Sequence, residues 1–393
     1  MVTSFPSKTP ELLLKNMEGE LYRPDEGRYL GCFDDDGTLL GSILMMDFTL
    51  NVRGVMTPMG AAAYVSTNFL RKKEHVARTL LEVLMRYYAR SGVPISCLHP
   101  FNPAFYHKMG YGFCNENTLY APKPCYIRSF GDKSGLSYAR EEDRAAVLDY
   151  YRRWVERTHG AALHHYMDPH RIFDMPYVVL CRRAGRITGY LTFEFVEVDH
   201  YTDCYHDLLV REMVYDDLDT LKQFMTFFAS QGDQIERVRF LSPDPDLHML
   251  FLNPDSGENR AHDGCIQEIG RRTMGYMCRI LDVAAYFRNQ GHCAAPAGRD
   301  FVLELQVEDG FLQDNSGSYF LHVSGDRVEL TGRTAPQVTL RADIAALSSL
   351  VMGAYDLDKA AAHGVMDISD PAYIPDVQNA IGWREKPVNY TYF

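Results

Sequence analysis

The stretch GAAAYVSTNFLRKKEHVARTLLEVLMRYYARS, residues 60–91, decides how the rest of the chain is read. Residues 60–67 are short, apolar and strand-like. Arg71, Lys72 and Lys73 then form a basic loop that runs straight into a helix starting at Lys73, whose apolar residues Val76, Leu80, Val83, Leu84 and Tyr87 recur at helical spacing. Ser91-Gly92, with Pro94 beyond, stops that helix. The first turn of a helix has unpaired N–H groups and a partial positive charge, so a basic loop leading into it suits a diphosphate. On this stretch alone a solvated loop between a core strand and a core helix accounts for the residues equally well.

The next segment, CLHPFNPAFYHKMGYG at 97–112, separates the two readings. A short strand ending near Leu98 passes into a helix carrying Tyr106, followed by Gly110-Tyr111-Gly112. In this order the chain resembles the GNAT acetyltransferases, where a strand, a pyrophosphate loop of the form R-x-x-G-x-A and a helix precede a strand and an F-Y-x-x-x-G-[FY] segment. Across its length it resembles the Eis (enhanced intracellular survival) family. That resemblance implies a fold of the α/β and α+β classes: two tandem GNAT-like units, each a mixed sheet with flanking helices, then a sterol-carrier-like α+β domain. The expected spans are 1–120, 121–290 and 291–393.

Composition agrees with a soluble globular protein of two or three domains: 393 residues, 46% hydrophobic and 23% charged. No apolar run is long enough to span a membrane and residues 1–16 lack a signal peptide's apolar core, so a cytoplasmic protein without membrane partners is expected. Nine cysteines without C-x-x-C spacing argue against a disulfide framework and a zinc ribbon. A net charge of −12 disfavours nucleic acid and permits a cationic small molecule.

Along the chain, a helix at 9–16, strands at 28–33 and 39–48 and a turn at Asp34-Asp35-Asp36-Gly37 precede the decisive stretch. The longer opening of a GNAT looks missing or shortened. Residues 117–134, with Pro122, Pro124 and Gly131, read as a linker. The order of the first unit then recurs: a helix at 140–150, strands at 177–181, 187–196 and 208–215, a helix at 217–230 and a strand at 237–241. Asp216, Asp217 and Asp219 stand where the first unit has its cations, and carboxylates there repel a diphosphate, so this copy reads as degenerate. A linker at 290–298, strands at 301–307, 319–323, 327–330 and 337–341, and helices at 344–352 and 372–381 complete the third domain.

The resemblance also implies chemistry. Acetyl-CoA is the co-substrate, with backbone groups of Val65 and Thr67 on its acyl-pantetheine arm. Arg71, Lys72, Lys73 and Arg78 surround the pyrophosphate, and N–H groups of His75, Val76 and Ala77 donate to it. His75 stands where the family has glycine, so it must hold an unstrained helical conformation or displace the cofactor. Tyr106 is the general acid, a phenol of ordinary pKa about 10 against a thiolate not far below; the alternative is that Phe105, Tyr106 and Tyr111 are core aromatics. The C-terminal carboxylate of Phe393 is the base, carried into the first unit by a docked tail. The implied activity is N-acetyl transfer to a primary amine of a cationic acceptor (aminoglycoside, polyamine or lysine-like) by a homo-oligomer, hexamer or trimer. The rival reading is a non-catalytic lipid-binding protein with a decayed cofactor site in which Glu74 and His75 are the lesions. His164, His165, Asp168 and His170 match no zinc spacing and read as a polar loop or a helix start, with no metal site.

Overall fold

In the computed structural model the described residues are 27–165, 168, 170–198, 205–257, 267–292 and 298–393. The helix expected at 9–16 and the opening of the first unit lie outside them. Gly27–Phe33 (β1), Leu39–Val52 (β2) and Val55–Thr67 (β3) form an antiparallel meander. Ile95–Leu98 (β4) lies parallel to β3, which requires a crossover, supplied by the helix Val76–Arg90. That helix begins at Val76, not Lys73, because Lys73 and His75 both take left-handed backbone angles, φ 74° and 63°. Its buried face is Val76, Leu80, Leu81, Leu84, Met85 and Tyr88; Val83 and Tyr87, expected inside, are exposed. The stripe sits one residue round the helix because Tyr88, whose hydroxyl donates to the Met46 carbonyl, packs over Gly60 of β3.

Gly112–Phe113 (β5) and Glu116–Tyr120 (β6) follow. The second unit holds Leu136–Tyr138 (β7), the helix Arg144–Arg157, Tyr177–Arg183 (β8), Arg186–Glu197 (β9), His206–Tyr215 (β10), the helix Leu218–Ala229, Ile235–Ser242 (β11) and Arg271–Met274 (β12). Met277–Ile280 (β13) closes it in sequence but not in space. The sheet orders are β1-β2-β3-β4-β13-β5 and β12-β6-β11-β10-β9-β8-β7. Each unit therefore takes its strand beside the parallel pair from the other. β13 is inserted next to β4, and β6, which the spans above put in the first unit or its linker, pairs with β11. The sequence could not show this, since a strand's residues fit a neighbour in either sheet when both faces are covered.

The third domain starts with the helix Val283–Gln290, ahead of the start at 291 expected from the sequence. Phe301–Glu308 (β14), Gly317–Ser324 (β15), Arg327–Thr331 (β16), Val338–Asp343 (β17) and Asp367–Ile368 (β18) form a sheet of order β16-β15-β14-β17-β18, with helices Ile344–Val351, Leu357–Ala362 and Ile374–Ile381. One face of the first sheet (Leu44, Ala61, Cys278) shares a continuous core with this domain (Leu303, Leu340, Leu347). The other face packs beneath the helix Val76–Arg90. The first unit is thus clamped between its own helix and the third domain. Among the described residues, no helix is long and apolar enough to cross a membrane.

Candidate active site

β3 and β4 pair only at Met59↔Ile95, Gly60↔Ser96 and Ala61↔Cys97; β4 then ends at Leu98 while β3 continues to Thr67. Parting strands leave backbone donors and acceptors of β3 facing a gap. In the same stretch β3 shifts register opposite Ser42 and Leu44, and Tyr64 takes φ 48°, a conformation that costs a non-glycine residue about 1–2 kcal/mol. Such a bulge re-aims the backbone that follows it, here Val65 to Thr67.

The gap opens into a cleft of about 990 Å³. Val65, Thr67, Lys72, Lys73, His75, Val76, Ala77 and Arg78 all line it, which is every cofactor residue expected from the sequence except Arg71. Arg71 turns away: its guanidinium lies 2.7 Å from Glu74 and 3.6 Å from Asp34. Glu74 is spent on that pair and does not line the cleft. Lys108, Phe101, Phe105, Met109, Gly310 and Phe311 complete the wall. Lys72, Lys73, Arg78 and Lys108 are four cations with no carboxylate beside them among the described lining residues, in a chain of net charge −12. Like charges gathered in a concave, partly apolar site focus a positive potential on it.

Of the alternatives open to His75, the unstrained helical conformation is not the one it takes. It is the N-cap of the helix, left-handed at φ 63°, and its side chain makes no capping hydrogen bond. That conformation explains why glycine suits the position, and among the described residues no N-cap side chain occupies the first-turn N–H groups. The corresponding helix of the second unit is built the opposite way. Asp217 caps it by accepting from the Thr220 N–H at 2.9 Å, and Arg183 pairs with Asp217 at 2.7 Å. Its start is already occupied by a carboxylate.

Tyr106 sits on the helix Pro103–His107, whose N-cap Asn102 accepts from the Phe105 N–H. Its ring is buried behind Phe101 and Phe105, with centroids 5.9 and 5.1 Å away. Burial pushes its pKa up to about 12, so it stays protonated. Other buried tyrosines nearby are tied down, Tyr111 to Ser96 and Tyr88 to Met46, whereas the Tyr106 hydroxyl has no hydrogen-bond partner among the described residues. Gly110 in the same segment has φ 81°, and a side chain there would collide with the Arg279 guanidinium.

The chain's last residues thread between the two units. The Val388 N–H donates to the His159 carbonyl, the Thr391 hydroxyl donates to the Ala162 carbonyl, and the Tyr392 N–H donates to Asp168. The Phe393 ring is buried against Phe48, His99 and Tyr276, at 5.3, 4.8 and 5.5 Å. Phe393 and Tyr106 belong to the cores on opposite faces of the first sheet, bridged by the segment after β4, where His99 meets Phe393 and Phe101 meets Tyr106. His99 was not singled out on sequence. Burial lowers its pKa, leaving a neutral imidazole beside the tail.

His164 and Asp168, which the sequence reads as a polar loop or a helix start, are a buried ion pair. The His164 Nδ1 lies 2.7 Å from Asp168 and its Nε2 2.8 Å from Glu212, to which Tyr190 also donates. Burial alone would depress the imidazole, but Glu212 and Asp168 outweigh it and raise its pKa to about 10. Burial would raise Asp168, yet His164 holds it below the usual value. The histidine's contribution is therefore complete below pH about 6.5 and is lost only as pH rises through about 10, while that of Asp168 holds above about 3.9 and is lost on acidification. His164→Ala leaves two buried carboxylates facing each other, so unfolding free energy should fall by about 3–5 kcal/mol. Urea denaturation checks this; an unchanged midpoint would contradict the pairing. Among the described residues no side-chain cluster is arranged to hold a metal.

Residues 2–114 and 149–280 each match the acetyltransferase (GNAT) domain, and 285–390 match the sterol carrier protein domain. No curated protein matches the sequence. Among solved structures, a GCN5-related N-acetyltransferase from Anabaena variabilis ATCC 29413 superposes with a TM-score of 0.81 at 19% identity, over 99% of this chain and 94% of that one. A conserved protein of unknown function from Enterococcus faecalis V583, described as a probable N-acyltransferase, gives 0.79 at 16%, over 100% and 95%. Eis1 from Mycobacterium abscessus gives 0.72 at 19%, over 93% and 91%. The chain thus carries two acetyltransferase (GNAT) domains in tandem with a sterol carrier protein domain behind them, and it shares its fold with N-acetyltransferases of that family, Eis1 among the similar structures.

Proposed function

We propose that the chain moves acetyl from acetyl-CoA to a primary amine of a small cationic acceptor such as an aminoglycoside, a polyamine or a lysine-like molecule. The observation that carries the proposal is the cleft where β3 and β4 part, with four cations, a helix start that the His75 side chain does not cap and, among the described lining residues, no carboxylate. Those features fit a diphosphate with an apolar extension. Bound there, acetyl-CoA would supply an activated thioester.

The chain's own residues supply the rest. Lys72, Lys73, Arg78 and Lys108 would hold the phosphates, as charge-assisted contacts are the strong ones. Backbone groups of Val65 and Thr67, in the stretch of β3 that runs on past the end of β4, would orient the pantetheine arm, with an N–H placed toward developing oxyanion charge. Tyr106 would donate to the leaving sulfur. Burial spoils the near match expected from an ordinary phenol. Full proton transfer from a group near 12 to a thiolate of conjugate pKa about 8.5 is uphill by about 5 kcal/mol, so its contribution begins as a hydrogen bond to the developing thiolate. At the acceptor end, the Phe393 carboxylate would attract the ammonium and take its proton. The homo-oligomer, trimer or hexamer, belongs to the same reading.

Thiol release from acetyl-CoA in the presence of a panel of primary amines tests the proposal. Tyr106→Phe keeps the ring and removes only the donor, so kcat should drop by roughly 10²-fold with acetyl-CoA affinity unchanged. An unimpaired Phe variant would make Tyr106 a core aromatic.

A further inference from the structure

The cleft contains two residues from outside the first unit. Gly310 and Phe311 line it, and both belong to the loop between β14 and β15 of the third domain. The Arg78 guanidinium, at the first turn of the cleft helix, lies over the Phe311 ring at 5.3 Å. A second contact between the same helix and the same loop is the ion pair of Arg86 with Asp314, at 3.0 Å.

Phe311 is itself rigidly placed. One oxygen of the Asp309 carboxylate accepts from the N–H groups of Phe311 and Leu312 at 3.0 and 2.8 Å, and the other accepts from the Arg279 guanidinium and from Asn315. Asp309 and Arg279 are both fully buried. Arg279 stands on β13, the strand lent to the first sheet, and also donates to the carbonyl of Met109, another residue that lines the cleft. A buried pair that is bonded to one lining segment and pins a second by its backbone holds the two in register.

We infer that the third domain is part of the cofactor site: Phe311 is a positioning residue that holds Arg78 for the diphosphate, and Arg279–Asp309 holds Phe311. The inference rests on reading the cleft as the acetyl-CoA site. An exposed arginine explores many rotamers, and a ring under its guanidinium removes that freedom before the ligand arrives. Preorganisation of this kind raises affinity without any new contact to the ligand.

Calorimetric titration of acetyl-CoA into the full chain, with KM measured separately for acetyl-CoA and for the amine, tests it. Phe311→Leu keeps apolar bulk and removes the ring, and should weaken acetyl-CoA by about 10-fold, raising its KM alone. Phe311→Tyr should restore parental binding. Once Arg78 is Ala, adding Phe311→Leu should weaken binding no further, because the ring acts through Arg78. Additive losses, or a Phe311→Leu protein that binds like the parent while Lys72→Ala does not, would overturn the inference and leave the cleft assignment standing. A parent that does not bind acetyl-CoA would overturn both.

Discussion

Extending the chain by a few residues beyond Phe393 is expected to abolish amine acetylation while leaving acetyl-CoA affinity at the parental value. In the proposed mechanism Phe393 contributes a carboxylate to the acceptor amine. Its ring is wedged among Phe48, His99 and Tyr276, so added residues would replace the carboxylate with a neutral peptide group and force bulk into a filled space. Deleting Phe393 fails differently: it empties that wedge and draws the carboxylate back by about 3 Å. Upstream, the tail is held by Thr391, Tyr392 and Val388, so both variants should keep their fold. The cation-lined cleft lies on the other side of the first sheet's core and is untouched. A non-catalytic lipid carrier predicts no coupling between the tail and any turnover. Thiol release and calorimetry on the same preparations make the comparison. An extended protein that acetylates amines at the parental rate would contradict the tail's role.

Local pattern made much of this architecture legible. The strand at 60–67, the helix after the basic loop, the meander and the helix of the second unit all follow from apolar periodicity and from Gly and Pro punctuation, and all are present. Long-range choices were not legible. The exchange of β6 and β13 leaves no trace in either strand's composition, because what changes is the neighbour and not the environment. The same limit hid Gly310 and Phe311, which reach the cleft from more than two hundred residues away, and His99, whose only signal was its place just after a strand. Where chemistry was misjudged, the cause was a competing partner. Arg71 looked like a phosphate ligand among its neighbours but is taken by Glu74 and Asp34. His164 and Asp168 looked like loop polarity, and their burial beside Glu212 made them an ion network under the tail.

Calorimetric titration of acetyl-CoA into the parent and into Lys72→Ala/Lys73→Ala/Arg78→Ala addresses the claim on which everything else depends. These three cations line the cleft, and among the described residues none has a carboxylate partner, so each is available to a diphosphate. A hydrogen bond to a charged group contributes about 1.5–3 kcal/mol, less where solvent screens it, so losing three should weaken binding by about 10²–10³-fold and flatten its salt dependence. Arg183→Ala/Lys222→Ala serves as the control. Those cations flank the matching helix of the second unit, where Asp217 and Asp219 already engage them. The account predicts tight, salt-sensitive binding by the parent and the control and its loss in the triple variant. A triple variant that binds acetyl-CoA as the parent does would contradict it.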